Sequence, residues 1–119
     1  MFEDVEVKYA GTKVTFQNME LVLPPLNFYA YRVKGALKKL SIIFDGLKRA
    51  EKEGALDLTD EEMDAAIEVI YLSAIRNYPE ITKDDIMEGL DFESLGKILP
   101  CLVTQNPLTK AKELTTKNA

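Results

Sequence analysis

A mainly α-helical fold, about four helices in one small domain with a short N-terminal β-hairpin, is predicted by three features of the chain. Apolar residues recur at spacings of three and four over most of residues 28–104. Helix start and stop signals punctuate those stretches, with Asn27, Thr59, Thr82 and Asp91 at openings and Gly54 and Gly89 at ends. Only near the N-terminus does an alternation of period two, Val14-Thr15-Phe16-Gln17, replace the helical pattern. A chain of 119 residues fits one domain, and its hydrophobic fraction of 46% is enough for a real core without disulfides or a metal. That domain is expected over residues 12–106. Residues 1–11 and the polar stretch 107–119 are expected to be flexible.

Lys13 to Phe16 and Glu20 to Leu23 read as the two strands of a hairpin spanning 13–23, with Gln17-Asn18 at the turn. Pro24-Pro25 ends the second strand, because neither residue can donate a ladder hydrogen bond. Two strands alone are marginal in water and need a helix to pack on. Asn27 then caps one long helix, about 28–52. Its apolar stripe is Val33, Ala36, Leu37, Leu40, Ile43, Phe44 and Leu47, and Gly54 is its stop.

Thr59 and Glu62 form a capping-box pattern that opens a helix over about 60–77. From Ile67 onward its apolar residues cover nearly the whole circumference. Such a helix is either central in its domain or completed by a partner, and in so small a protein the reading favours the partner. Pro79 disfavours helical geometry at Tyr78 and ends it. Thr82 caps a short helix over 83–88, stopped by Gly89. Asp91 opens the last helix, 92–104, where Phe92, Leu95, Leu99 and Leu102 repeat. Pro100 predicts a kink or an early end near Gly96 to Pro100.

Reactive groups are scarce. There is no histidine, which removes the commonest general base and the commonest zinc ligand. Neither GxGxxG nor GxxxxGK[ST] occurs, and Ser41, Ser73 and Ser94 sit in no nucleophile motif. The single Cys101, within an apolar run, reads as a buried thiol of a cytoplasmic protein. Asp60, Glu61, Glu62 and Asp64, and separately Asp84, Asp85 and Glu88, lie in first helical turns, where the helix dipole favours acids, and lack the spacing of a calcium loop. No catalytic residue, cofactor or metal is expected. The N-terminus lacks the pattern of a signal peptide, and no apolar run is long enough for a membrane span.

What remains is surface. The net charge of −5 argues against a nucleic-acid binder, yet the charge is segregated. Arg32, Lys34, Lys38, Lys39, Lys48 and Arg49 share residues 32–49 with one acid, Asp45. Residues 57–68 carry Asp57, Asp60, Glu61, Glu62, Asp64 and Glu68 with no base. These blocks pair within the fold or between subunits. Lys34, Lys38 and Lys48 with Asp60, Glu61 and Asp64 are the candidates for steering one subunit onto another. Phe28, Tyr29 and Tyr31, after Leu26, cannot all face one core, since helical neighbours point about 100° apart. Either the strands fold over them or they form a sticky surface. Candidate partner-binding residues are therefore Leu26, Phe28, Tyr29 and Tyr31, and on the all-apolar helix Ile67, Ile70, Tyr71 and Ile75.

From Thr12 to Val103 the chain resembles tail assembly chaperones of long-tailed bacteriophages. The likeness is carried by Leu23-Pro24-Pro25-Leu26 before a helix, by Arg76-Asn77-Tyr78-Pro79 followed by Ile81-Thr82 and an acidic turn, and by Gly89-Leu90-Asp91-Phe92 leading into a final apolar helix. The resemblance implies a small, non-enzymatic, mostly helical protein of the host cytoplasm that is left out of the mature virion. Such proteins coat the tape measure protein and self-associate, here as a homo-oligomer such as an open spiral. They recruit the tail tube protein through a frameshift-extended form, which would begin near Lys110 to Ala119. The alternative is a small adaptor or DNA-binding regulator using the basic helix 32–49.

Overall fold

The computed structural model describes residue 2 and residues 4–105, with the side chain of Gln105 left aside. The expected polar tail therefore lies outside the described residues. Two strands and five helices follow one another: β1 (Thr12–Thr15), β2 (Glu20–Leu23), α1 (Phe28–Arg32), α2 (Ala36–Glu53), α3 (Asp60–Ala74), α4 (Lys83–Gly89) and α5 (Phe92–Gln105). The mainly helical architecture with an N-terminal antiparallel hairpin is the one the sequence predicts.

The strands pair in the register Val14↔Leu21 and Thr12↔Leu23, and the Phe16 N–H donates to the Met19 carbonyl across the turn. Val14, Phe16, Leu21 and Leu23 are buried, so alternation delivers one apolar face to the helices. The capping signals act as read. Asn27 Oδ1 accepts from the Ala30 N–H, and Thr59 with Glu62 and Thr82 with Asp85 form reciprocal capping boxes. Asp91 and Ser94 exchange the same kind of bonds at the start of α5.

Three expectations are corrected. The helix expected over 28–52 is two helices. Gly35 sits at φ 65°, ψ 34° as the N-cap of α2, a left-handed conformation that breaks the helix and that glycine adopts without a Cβ clash. Because the chain turns there, Val33 and Leu37 leave the apolar stripe and are 63% and 53% exposed, while Ala36, Leu40 and Ile43 stay buried. Of the kink or early end expected at Pro100, the early end does not occur: α5 continues to Gln105, close to the 92–104 expected for the last helix. Leu99, Leu102 and Val103 bury on both sides of the proline and hold the helix in place. Within residues 1–11, expected to be loose, Phe2, Lys8 and Tyr9 are tied down. Phe2 is buried with its ring edge-on to Tyr78 at 5.8 Å, and the Lys8 and Tyr9 N–H groups donate to Asn77 Oδ1 at 3.0 and 2.8 Å.

α3 is the central element, packed on α2, α4 and β2. α2 and α3 approach closely at Gly46, where a Cβ would lie 2.9 Å from Glu62 Oε2 and 3.1 Å from Leu58 Cδ2. The glycine costs α2 some helical preference, and in exchange the neighbouring helix comes near enough to join Glu62 to Arg49. No helix among the described residues is long and apolar enough to cross a membrane.

Candidate functional site

The segment Arg76-Asn77-Tyr78, which carries part of the family resemblance, is a structural clasp. Asn77 is buried, and all four of its amide bonds are made: Oδ1 accepts from Lys8 and Tyr9, and Nδ2 donates to the Tyr9 and Val22 carbonyls at 2.9 and 3.1 Å. Tyr78 Oη accepts from the Val22 N–H at 2.8 Å. Ser73 Oγ donates to the Pro24 carbonyl at 2.6 Å, and the Arg76 guanidinium donates to the Pro25 carbonyl while lying over the Tyr9 ring. The Pro-Pro turn has no free N–H groups to offer, so its carbonyls are what the end of α3 grips. These groups fix the N-terminal segment, the hairpin and the approach to α1. They are committed to the fold.

The sequence-predicted contact residues separate into three groups. Leu26 and Ile70 are buried, 7% and 0% exposed, so the expectation that they meet a partner is withdrawn; both belong to the core. Tyr31, Tyr71 and Ile75 are half-buried against it, and Ile67 is half-buried. Burial holds the Tyr31 hydroxyl above its ordinary range. Phe28 and Tyr29 are 84% and 55% exposed. The hairpin does not fold over them. The apolar circumference of α3 is largely covered from within, by α2, α4 and β2, which corrects the reading that a partner completes it.

Two exposed apolar areas result. The first is the stretch on either side of Gly35, where Phe28, Tyr29, Val33 and Leu37 are each more than half exposed. Neither Val33 nor Leu37 is distinguishable from core by spacing alone, since both fit the stripe; the signal that releases them is Gly35 between them. The second is a shallow apolar groove of about 160 Å³ between α3, α4 and α5, walled by Met63, Ala66, Ile67, Met87, Phe92 and Leu95. Met87 and Phe92, both counted as ordinary helix positions from sequence, are 46% and 60% exposed on its rim. A larger cleft of about 420 Å³ separates the hairpin from α5. Lys13, Gln17, Asp91, Lys97 and Cys101 are among its walls. Cys101 is half-buried there rather than fully enclosed, because Ile98, Leu99 and Leu102 take the inward positions of α5. Ser94 and Gln17 hydrogen-bond the Asp91 carboxylate and hold it below the usual carboxylate range.

The charged blocks pair partly within the fold. Arg49 makes a two-pronged bond to Glu62, and Lys39 and Lys83 both reach Glu68. The Arg49 guanidinium bonded to it holds the Glu62 carboxyl at about 2, against the opposing effect of burial and with help from the Thr59 N–H. The six residues expected to steer subunits, Lys34, Lys38, Lys48, Asp60, Glu61 and Asp64, are all exposed and in no ion pair among the described residues. Lys48 lies 4.8 Å from the centre of the Phe44 ring. Among the described residues no three acidic or thiol groups converge as metal ligands would.

No protein-family model, curated protein or solved structure matches the chain.

Proposed function

We propose that this protein is a non-enzymatic assembly chaperone of a long-tailed phage or prophage. In this reading it coats the helical tape measure protein, keeps it in solution and supports assembly of the tail tube around it. The observation that carries the reading is the stretch on either side of Gly35, where four large apolar side chains project into solvent beside the lysines of α2. Four large apolar side chains exposed within ten residues of one another in sequence offer a surface to a client with apolar helical faces. Phe28 and Tyr29 would make the client contact, with Tyr31 supporting them from the half-buried side. The sequence resemblance adds the identity of the client. The alternative, a DNA-binding regulator, has weaker support: Lys39 and Arg49 of the basic block already face Glu68 and Glu62.

Co-expression with the tape measure protein tests the proposal. The client is expected in the soluble fraction, co-purifying with this chain. Tyr29→Ala is expected to reduce that yield while leaving stability within about 1 kcal/mol, whereas the buried Leu95→Ala should cost about 2–5 kcal/mol. A client that pellets equally with and without this chain refutes the reading. Collapse of the fold on Tyr29→Ala refutes the assignment of that surface.

A further inference from the structure

We propose that the groove between α3, α4 and α5 is a docking site for a basic amphipathic helix of a partner protein. The proposal is independent of the chaperone reading, which uses the stretch on either side of Gly35 and not this groove. Of the described residues that line the groove only Asp91 is charged, and Met63, Met87 and Phe92 supply much of its apolar wall. Methionine is flexible and polarisable, and surfaces that receive varied apolar side chains use it for that reason. A cavity of about 150 Å³ lined by apolar side chains takes up a benzene ring in another protein. At about 160 Å³ this groove suits one large aromatic or branched anchor. Its walls are helices whose backbone groups are paired within each helix, so an extended peptide would find few main-chain partners there. A helix satisfies its own backbone and needs only the side-chain contacts that the groove supplies.

Charge selects the partner. Asp60, Asp64 and Asp84 stand three residues before Met63, Ile67 and Met87, so each lies on the helix face next to a groove residue, and Asp91 lines the groove itself. All four are exposed, and none is in an ion pair among the described residues. Residues 60–67 and 84–95 hold no base. Lys83 and Lys97, which flank the second stretch, are taken up by Glu68 and Glu93. An acid rim repels phosphate, which sets this face against nucleic acid and anionic lipid, and it attracts lysine and arginine. The fitting partner is a helix with one bulky apolar side chain facing inward and basic side chains beside it.

The stretch at residues 28–37 has the reverse character, since it holds Arg32 and Lys34 and no acid. The two apolar surfaces of this protein therefore differ in the charge of what they receive.

Fluorescence titration tests this, because the chain has no tryptophan of its own. The probe is a synthetic amphipathic helix of leucine and lysine with a single tryptophan at the centre of its apolar face. Its emission is expected to shift to the blue and to saturate at one peptide per chain. Affinity should fall at least about tenfold between about 50 mM and about 0.5 M salt. A charge-reversed peptide, with glutamate for lysine, should not bind. Met87→Arg and Phe92→Arg alter exposed side chains, so thermal melts should match wild type, and each should weaken binding at least about tenfold. Tyr29→Ala should bind the peptide as wild type does.

A wild type that leaves the emission unshifted, equal binding of the charge-reversed peptide, or Met87→Arg and Phe92→Arg proteins that bind like wild type overturns the proposal. Loss of binding on Tyr29→Ala places the peptide on the other surface and overturns it as well. Sedimentation velocity of the protein alone checks for a second copy as occupant: self-association that Met87→Arg abolishes would give the groove to another molecule of this chain and overturn the proposal. Peptide binding by a protein that leaves the tape measure protein insoluble upholds the groove and rejects the chaperone reading. A soluble client with no peptide binding rejects the groove alone.

Discussion

Replacing Glu62 by glutamine keeps the shape of the side chain and removes its charge. In the native protein that carboxylate accepts two bonds from Arg49 and one from the Thr59 N–H at 2.8 Å, and it sits 8% exposed between α2 and α3. Its pKa falls from 4.5 to about 2 on folding. At about 1.4 kcal/mol per unit, linkage sets an upper bound of about 3 kcal/mol of stability. The Arg49 side chain is 36% exposed, and water at that end screens the pair, so roughly 1–2 kcal/mol is expected. The sign follows from the direction. A carboxyl whose pKa is depressed by folding stabilises fully above its unfolded value and loses that stabilisation as pH falls toward its folded value. The deficit of Glu62→Gln relative to wild type should therefore be complete near neutrality, begin to shrink below about pH 4.5, and be less than half its full size by about pH 3. Urea titrations followed by circular dichroism at several pH values measure it. A deficit that is absent at pH 7, or constant down to pH 3, refutes the assignment of this pair as a structural link between α2 and α3.

Gly46→Ala should destabilise the protein by about 1–3 kcal/mol, although alanine favours an isolated helix by about 1 kcal/mol. The new methyl would meet Glu62 and Leu58, and Glu62 is pinned by Arg49 and Thr59. Chemical denaturation gives the sign directly, and a gain in stability would show that α2 and α3 do not approach this closely. Asn77→Ala should cost about 2–3 kcal/mol, because it removes the partner of part-buried backbone groups of the N-terminal segment and of β2. Hydrogen exchange should report faster exchange at the Lys8 and Tyr9 amides. Unchanged protection there would mean the clasp does not form.

Local chemistry was readable in advance. The hairpin, its turn and the caps at Asn27, Thr59 and Thr82 are decided by residues within four positions of one another, so pattern and capping chemistry locate them. The features that decide the surface are not local. Gly35 looks like a mild helix weakener on paper, and only its left-handed backbone, with Ala36, Leu40 and Ile43 buried beyond it, shows that the chain turns there and leaves Val33 and Leu37 outside. Asn77 reads as an unremarkable helix end, because its partners lie at residues 8, 9 and 22. The all-apolar turn set of α3 was ambiguous for the same reason. Periodicity cannot say whether a circumference is covered by the same chain or by another. The groove at Met87 and Phe92 went unread because it is made by three helices at once.

The clasp at Asn77 also sets an order on biosynthesis. Every group that grips the hairpin and the segment before it, from Ser73 to Tyr78 and on to the Gly89 carbonyl that accepts from Gln17, is translated some fifty to seventy residues after the strand it holds, as the separation of 68 between Tyr9 and Asn77 illustrates. On the ribosome the nascent hairpin must wait with its greasy face bare until α3 emerges, which makes late closure, rather than early collapse, the vulnerable moment for this chain.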